Sequence, residues 1–153
     1  MSVNVPELSR QPKPTPDVGY FSVTPALGAN PELTRNLWGI YTKHSKALVL
    51  EVFATGTVPS ILDPLIKECV DGGGSAFLLS NNPGDEKGIT KLAYEANMGA
   101  VGAGAIPLRD VNVNNRIEVL KTIQEAISQG KIGNELNKVV IEKFCAPAPQ
   151  NSA

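Results

Sequence analysis

The stretch of sequence that most constrains the fold is residues 47–59, which read ALVLEVFATGTVP. Its first half is almost entirely apolar, and an apolar run of strand length without polar alternation is typical of a strand covered on both faces of a parallel sheet. Thr55-Gly56-Thr57 ends the run, and Pro59 opens a segment with apolar residues at helical spacing. A strand, a glycine-containing loop and a helix in this order predict a βα unit of the kind that α/β proteins place at ligand sites.

The rest of the chain alternates segments of the same two kinds. Short segments rich in β-formers predict strands, and segments with apolar residues every three or four positions predict helices. Strands are predicted at 18–23, 47–53 and 76–79, a strand or extended crossing at 100–106, and helices at 30–44, 59–70, 112–129 and 134–144. Alternating strands and helices form a parallel sheet with right-handed crossovers. The predicted fold is therefore α/β, a three-layer sandwich with a roughly four-stranded parallel sheet flanked by helices.

Two of these segments carry detailed expectations. The helix at 30–44 starts with the cap residue Asn30 before Pro31. The apolar residues that we expect it to bury are Leu33, Leu37, Trp38, Ile40 and Tyr41. Further along, Pro107 and Asp110 are expected to turn the chain before Asn112 caps the long helix at 112–129.

The two ends of the chain differ from the middle in composition. Residues 1–17 contain four prolines among polar residues and hold few apolar anchors, which predicts an extended arm or linker. Residues 18–144 form the predicted α/β domain. Residues 145–153, CAPAPQNSA, are predicted to be a disordered tail.

Composition and charge exclude several classes of protein. The 153 residues are enough for one domain with a single core, and a net charge of −1 without a basic run gives no reason to expect nucleic acid as a partner. Apolar runs too short to cross a bilayer and a start without signal-peptide features predict a protein that does not engage a membrane. Cys69 and Cys145 lie in no metal-binding or redox spacing, so we expect two free thiols and a cytoplasmic location.

A search for chemistry finds candidates for binding rather than for catalysis. The single histidine, His44, has no carboxylate or metal-spaced partner, and we predict no catalytic residue, no metal and no cofactor. Gly72-Gly73-Gly74 precedes a strand, the wrong order for a phosphate loop, and is expected to cap a helix. The candidates that remain follow two strands at one predicted sheet edge: Thr55, Gly56, Thr57, Ser80, Asn81 and Asn82. Each segment is either a plain turn or a contact loop for a ligand or partner, and the two roles are compatible.

Several motifs, in order, resemble one known family. ALVLEVFATGTVPS is similar to the strand, loop and helix of the C-terminal domain of the asparaginase/glutaminase family, usually written near VVLETYGAGNAPS. AFLLSNN resembles the next strand and loop of that domain, and VGYFSVTPALG resembles its opening strand. Tyr94, the run Gly104-Ala105-Ile106-Pro107 and then Asp110 form the most specific part. The resemblance covers residues 18–144.

The resemblance implies a small α/β domain that normally follows a larger N-terminal domain. In that family the N-terminal domain carries the chemistry, with a nucleophilic threonine in a TGGTI-like stretch that this chain lacks. The C-terminal domain contributes mainly to the dimer interface and reaches a neighbouring active site through a loop asparagine. That asparagine falls at Thr57 here, the preceding glycine is replaced by Ala54, and the family's helix lysine falls at Val119.

Loss of these accessory residues favours a domain that no longer serves catalysis in the usual way. Our leading hypothesis is an asparaginase C-terminal-like module for protein interaction or assembly, with another chain or itself as partner. Two alternatives stay open: the small subunit of a split asparaginase or amidotransferase whose catalytic threonines lie on a partner chain, and a domain that senses asparagine or glutamine. In every case we expect the isolated chain not to hydrolyse either amide.

Overall fold

The computed structural model describes residues 18–23, 29–52, 58, 60–82 and 98–145, without the side chains of residues 40–44 and 98. The predicted arm and residues 146–153 of the predicted tail lie outside these ranges and stay predictions. Within the ranges the strands are β1 (Val18–Ser22), β2 (Ala47–Val52), β3 (Ser75–Ser80) and β4 (Ile106–Asn112). The helices are α1 (Pro31–His44), α2 (Leu62–Asp71), α3 (Met98–Gly102), α4 (Arg116–Ser128) and α5 (Asn134–Phe144), with a 3-10 turn at Val113–Asn115 before α4.

The four strands form one parallel sheet in the order β1-β2-β3-β4. Ala47 of β2 lies between Val18 and Ser75, and Phe77 of β3 is paired with Ile106 of β4. Since each pair of neighbouring strands is parallel, all four carboxyl ends lie at one edge of the sheet. The predicted α/β class with a four-stranded parallel sheet is confirmed.

Helices cover both faces of the sheet and make two separate cores. Leu48 and Leu50 point to a cluster with α1, α2 and α3, whereas the intervening Val49 points to a cluster with α4 and α5. All three side chains are fully buried. A strand enclosed on both faces has no solvent face that would favour polar alternation, which explains the apolar run in the sequence.

The segment at 98–112 differs from the prediction. Residues 100–102 belong to the short helix α3 rather than to a strand, and β4 begins only at Ile106. Pro107 and Asp110, expected to turn the chain, lie inside β4 instead. The reason is packing: Ala100 is buried against the core formed with α2, and a helix of small residues approaches its neighbour closely. As β4 is the last strand of the sheet, Pro107 can occupy it without loss of a ladder bond.

Gly104 ends α3 in a left-handed conformation. Its φ is 114°, its N–H donates to the Val101 carbonyl at 3.0 Å, and the Ala105 N–H donates to the Ala100 carbonyl at 3.0 Å. These two bonds form a Schellman motif, which requires a left-handed residue at the position that Gly104 occupies. The glycine of the Gly104-Ala105-Ile106-Pro107 motif therefore has a structural role, because it turns the chain from α3 into β4.

Helix α1 begins as predicted but buries fewer apolar residues. The Asn30 side chain accepts a hydrogen bond from the Leu33 N–H at 3.2 Å, and Trp38 is fully buried. Leu33 and Leu37, expected in the core, are 52% and 44% exposed. The two leucines lie one turn apart, on a face of the helix different from the one that carries Trp38.

Candidate functional site

The candidate site predicted from the sequence lies at the carboxyl edge of the sheet, and the structure describes half of it. Thr55, Gly56 and Thr57 lie outside the described residues, as does Tyr94 of the family motif, so their roles remain predictions. Ser80, Asn81 and Asn82 follow directly in and after β3, at the edge where parallel α/β sheets bind ligands.

The Ser80–Asn82 segment is held in place by its own hydrogen bonds. The Ser80 hydroxyl is buried and accepts from the Asn82 N–H at 3.1 Å, and the Asn81 N–H donates to the Val52 carbonyl of β2 at 2.8 Å. These two hydrogen bonds form a turn at the end of β3 and hold that end beside β2. The side-chain amides of Asn81 and Asn82 are half-buried at this edge.

The structure adds Asn112 to this edge, which the sequence indicated only as a helix cap. Asn112 is paired with Ser80 across β3 and β4 and is 6% exposed. Its side chain accepts from the Asn114 N–H at 2.8 Å, and its own N–H donates to the side chain of Asn115 at 3.2 Å. This reciprocal capping box starts the 3-10 turn and places an amide next to the Ser80–Asn82 segment.

Ser80, Asn81, Asn82 and Asn112 therefore form an uncharged polar edge. Hydroxyl and amide groups can donate and accept hydrogen bonds, but they do not exchange protons near neutral pH. The arrangement suits recognition of a polar, uncharged group. General acid–base chemistry needs a titratable group within hydrogen-bond reach, and these four residues supply none.

A charged cluster that the sequence analysis missed connects β1, β2 and the start of α4. The Tyr20 hydroxyl of β1 donates to the Glu51 carboxylate of β2, and Arg116 Nη1 of α4 lies 3.8 Å from Glu51 Oε2. The Glu51 side chain is 16% exposed and that of Arg116 is 50% exposed. The cluster ties the start of α4 to β1 and β2. Its one signal in the sequence is that Glu51 is the single charged residue in an apolar run.

The raised pKa of Tyr20 excludes it as a base near neutral pH, because its hydroxyl stays protonated there. Burial raises the pKa of Tyr20 to about 12, and the hydrogen bond to Glu51 adds to the effect. Burial also acts on the thiols, and it raises the pKa of Cys69 to about 11. Burial also raises the pKa of Cys145, against the lowering effect of a hydrogen bond with the Arg109 backbone. A thiol with a raised pKa is a poor nucleophile.

Tyr20 should make the protein less stable in alkali. Its pKa lies above the ordinary value of 10.0, so the folded state holds this proton more tightly, and the stabilisation is present below pH 10 and lost as the pH rises towards 12. Because the residue is only partly buried, we expect a loss of about 1 kcal/mol after solvent screening. Unfolding by urea at pH 8, 10 and 11 measures it.

Tyr20→Phe is the control for this prediction. The variant lacks the titrating group, so its free energy of unfolding should fall less between pH 10 and pH 11 than that of the wild type. Identical slopes for the two proteins would show that Tyr20 does not carry the alkaline loss.

The described residues hold no metal centre, because no group of three or more His, Cys, Asp or Glu side chains among them could bind an ion. None of the described helices is long and apolar enough to cross a bilayer.

Solved structures of L-asparaginases are similar to this chain. L-asparaginase I from Vibrio cholerae matches with a TM-score of 0.61 and 19% identity, over 81% of this chain and 35% of that one. The thermostable L-asparaginase from Thermococcus kodakarensis matches with a TM-score of 0.62 and 21% identity, over 85% of this chain and 37% of that one. No family model matches the chain, and no curated protein matches it in sequence.

These matches establish the fold of the chain. The described domain has the fold of a part of the L-asparaginases, and the chain spans little more than a third of the length of the two that it matches. The asparaginase-like α/β fold that the resemblance implied is therefore confirmed. Sequence identities of 19% and 21% do not show that this chain shares the activity of those proteins.

Proposed function

We propose that this chain is an asparaginase-like domain that acts by binding another protein or further copies of itself, and not by catalysis. The observation that carries the proposal is the exposed leucine face of α1, formed by Leu33 and Leu37 and named here the α1 face. Two large aliphatic side chains one turn apart, each about half exposed, form an apolar surface without a partner inside the described domain.

The core side of α1 explains why the α1 face is not needed for folding. Trp38 is buried in the core, its ring stacks on Phe21 of β1 with centroids 5.3 Å apart, and Thr34 is buried on the same side. These residues already attach the helix to the sheet. A half-exposed apolar face adds less to the stability of the domain than the buried face does, and a contact with another surface is a natural use for its exposed part.

The comparison with the L-asparaginases supports this interpretation. Those proteins are almost three times as long as the part that matches, so in them the same fold is joined to a much larger remainder. A domain adapted to such a neighbour keeps apolar surface where the neighbour sits. The polar edge of the sheet supports a non-catalytic role, since Ser80 and Asn112 can bind but not transfer protons.

One alternative is favoured by the same coverage. A part equal to about a third of an asparaginase would suit the small subunit of a split enzyme whose catalytic residues lie on a second chain. Hydrolysis of asparagine that appears only when a co-purified chain is present would establish this alternative.

A sensing role is a second alternative, because the uncharged edge at Ser80–Asn82 suits an amide. A thermal shift with asparagine or glutamine tests it.

Substitution of the α1 face tests the proposal. Leu33→Glu/Leu37→Glu should weaken association by at least tenfold. Each change places a charge in an apolar contact, and the loss of one large apolar contact residue at an interface can cost that much. Leu33→Met/Leu37→Met is the matched control and should retain association, because it keeps the apolar surface and its approximate volume. Sedimentation of the pure chain, and recovery of tagged chains from the native source, provide the two measurements.

Two results together would contradict the proposal. The pure chain would stay monomeric at high concentration, and the tagged wild type would recover no protein that the α1-face variant fails to recover. The leucines are exposed, so the variants should melt within a few degrees of the wild type, and circular dichroism checks this point.

A further inference from the structure

We infer that copies of this chain bind each other head to tail, with the Ile117 side chain of one copy inserted into an apolar groove beside β4 of the next. Glu118 of the first copy then pairs with Arg109 of the second. This inference rests on the assembly function proposed above and adds a second contact surface, separate from the α1 face. Four observations support this inference: the lining of the groove, the backbone of β4, the exposure of Ile117 and the placement of the two surfaces.

The groove, named here the β4 groove, lies where α3, β4 and α5 meet at the last strand of the sheet. It has a volume of about 320 Å³. Its apolar lining consists of Val101, Ala105, Ile106, Pro107 and Ile141. Among the described residues that line it, Arg109 alone carries a charge. An apolar groove with one exposed guanidinium at its wall suits an aliphatic side chain that is accompanied by a carboxylate.

The backbone of β4 indicates how the groove is used. Pro107 has no N–H to offer, and its carbonyl accepts from the Cys145 thiol at 3.4 Å. The Arg109 backbone is hydrogen-bonded to the same thiol. Two successive outward-facing positions of the edge strand are thus already occupied, which blocks addition of a fifth strand there. A partner must enter by a side chain.

The same chain presents a side chain of the required kind. Ile117 is 72% exposed, the highest exposure of any large apolar residue in the described ranges. Glu118 follows directly, is exposed, and belongs to the first turn of α4. A branched aliphatic side chain next to a carboxylate matches the apolar lining and the guanidinium of the β4 groove.

The two surfaces are not in contact within one molecule, because Ile117 is 72% exposed and does not line the β4 groove of its own chain. Ile117 follows Arg116, which pairs with Glu51 of β2, and α4 packs beside β1. The β4 groove lies at the opposite edge of the sheet. A contact between two different surfaces of identical chains is heterologous, so it builds a ring or an open chain of copies.

Charge reversal at the two ends of the proposed ion pair tests the inference. Ile117→Asp, Arg109→Glu and Glu118→Arg should each weaken self-association of the full chain by at least tenfold in sedimentation equilibrium. The double variant Arg109→Glu/Glu118→Arg should regain association, because it restores opposite charges. Ile132→Asp is the matched control: Ile132 is 46% exposed but lies outside the β4 groove, so its substitution should change little.

Mixing gives a sharper outcome. The Arg109→Glu chain and the Glu118→Arg chain should each self-associate at least tenfold more weakly alone than when combined, since the carboxylate introduced in one chain then faces the guanidinium introduced in the other. Added salt should weaken the contact of the wild type. Self-association that is insensitive to Ile117→Asp, or a double variant and a mixture that fail to regain it, would overturn the inference.

The α1-face variants separate this inference from the proposed function. If Leu33→Glu/Leu37→Glu abolishes binding while the groove variants have no effect, the inference fails and the proposed function stands. If the pure chain is monomeric and no α1-face-dependent partner is recovered, both fail.

Discussion

Gly104→Ala should lower the free energy of unfolding by about 2–4 kcal/mol. The residue has a φ of 114°, which a side chain with a Cβ rarely adopts, and a Cβ built there would lie 3.0 Å from both methyl carbons of Val70. The left-handed conformation and the close contact with α2 both oppose the substitution. Because Val70 packs against the core of α1, α2 and α3, it has little room to move away.

Gly102→Ala is the matched control for this prediction. Gly102 belongs to the same helix, its φ is not positive, and nothing lies within 4 Å of a Cβ built on it. Alanine there should leave stability unchanged or raise it by up to about 1 kcal/mol. Urea unfolding followed by the fluorescence of Trp38, the one tryptophan of the chain, measures both variants. Equal midpoints for the two would rule out the role of Gly104 in joining α3 to β4.

Trp38→Ala should have an even larger effect, about 3–5 kcal/mol. The side chain is 1% exposed, fills the core beneath α1 and stacks on Phe21 of β1. Removing it leaves a cavity between the helix and the sheet. Because Trp38 attaches the helix that presents Leu33 and Leu37, the variant should also lose any binding that depends on the α1 face.

Trp38→Phe separates packing from hydrogen bonding. The indole Nε1 is buried and has no hydrogen-bond partner among the described residues, so loss of that N–H removes an unsatisfied donor. The phenyl ring keeps much of the contact with Phe21, and we expect a cost below about 1.5 kcal/mol. Circular dichroism during thermal unfolding compares the variants. A phenylalanine variant as unstable as the alanine variant would contradict this account of the indole.

The sequence was most informative where one signal decided the local structure. The apolar run at 47–52 predicted a doubly covered strand, which is β2, and α5 occupies the predicted range 134–144. Small-residue segments were less informative. Residues 98–106 lack both a strand alternation and a helical stripe, so the helix there is decided by its contact with α2, which no local pattern encodes.

The candidate site shows the same division. Ser80–Asn82 could be placed at the carboxyl edge because parallel strands end together. Glu51, by contrast, gains its role from Tyr20 and Arg116, both distant in sequence, and the exposure of Leu33 and Leu37 depends on which face of α1 meets the sheet. Periodicity identifies apolar residues on a helix but not which of two apolar faces the rest of the domain covers.

The order β1-β2-β3-β4 has a consequence for how the chain is made on the ribosome. Each of the four described strands adds to the edge left by the one before it, so none of these four must insert between two that are already paired. The sheet can therefore grow while synthesis continues, one βα unit at a time. Until β4 emerges, however, β3 is the edge, and its Phe77, Leu78 and Leu79 are all residues that the finished domain buries completely. Nascent chains that stall after β3 has emerged but before β4 has emerged would thus present an apolar strand edge to their neighbours on the same messenger.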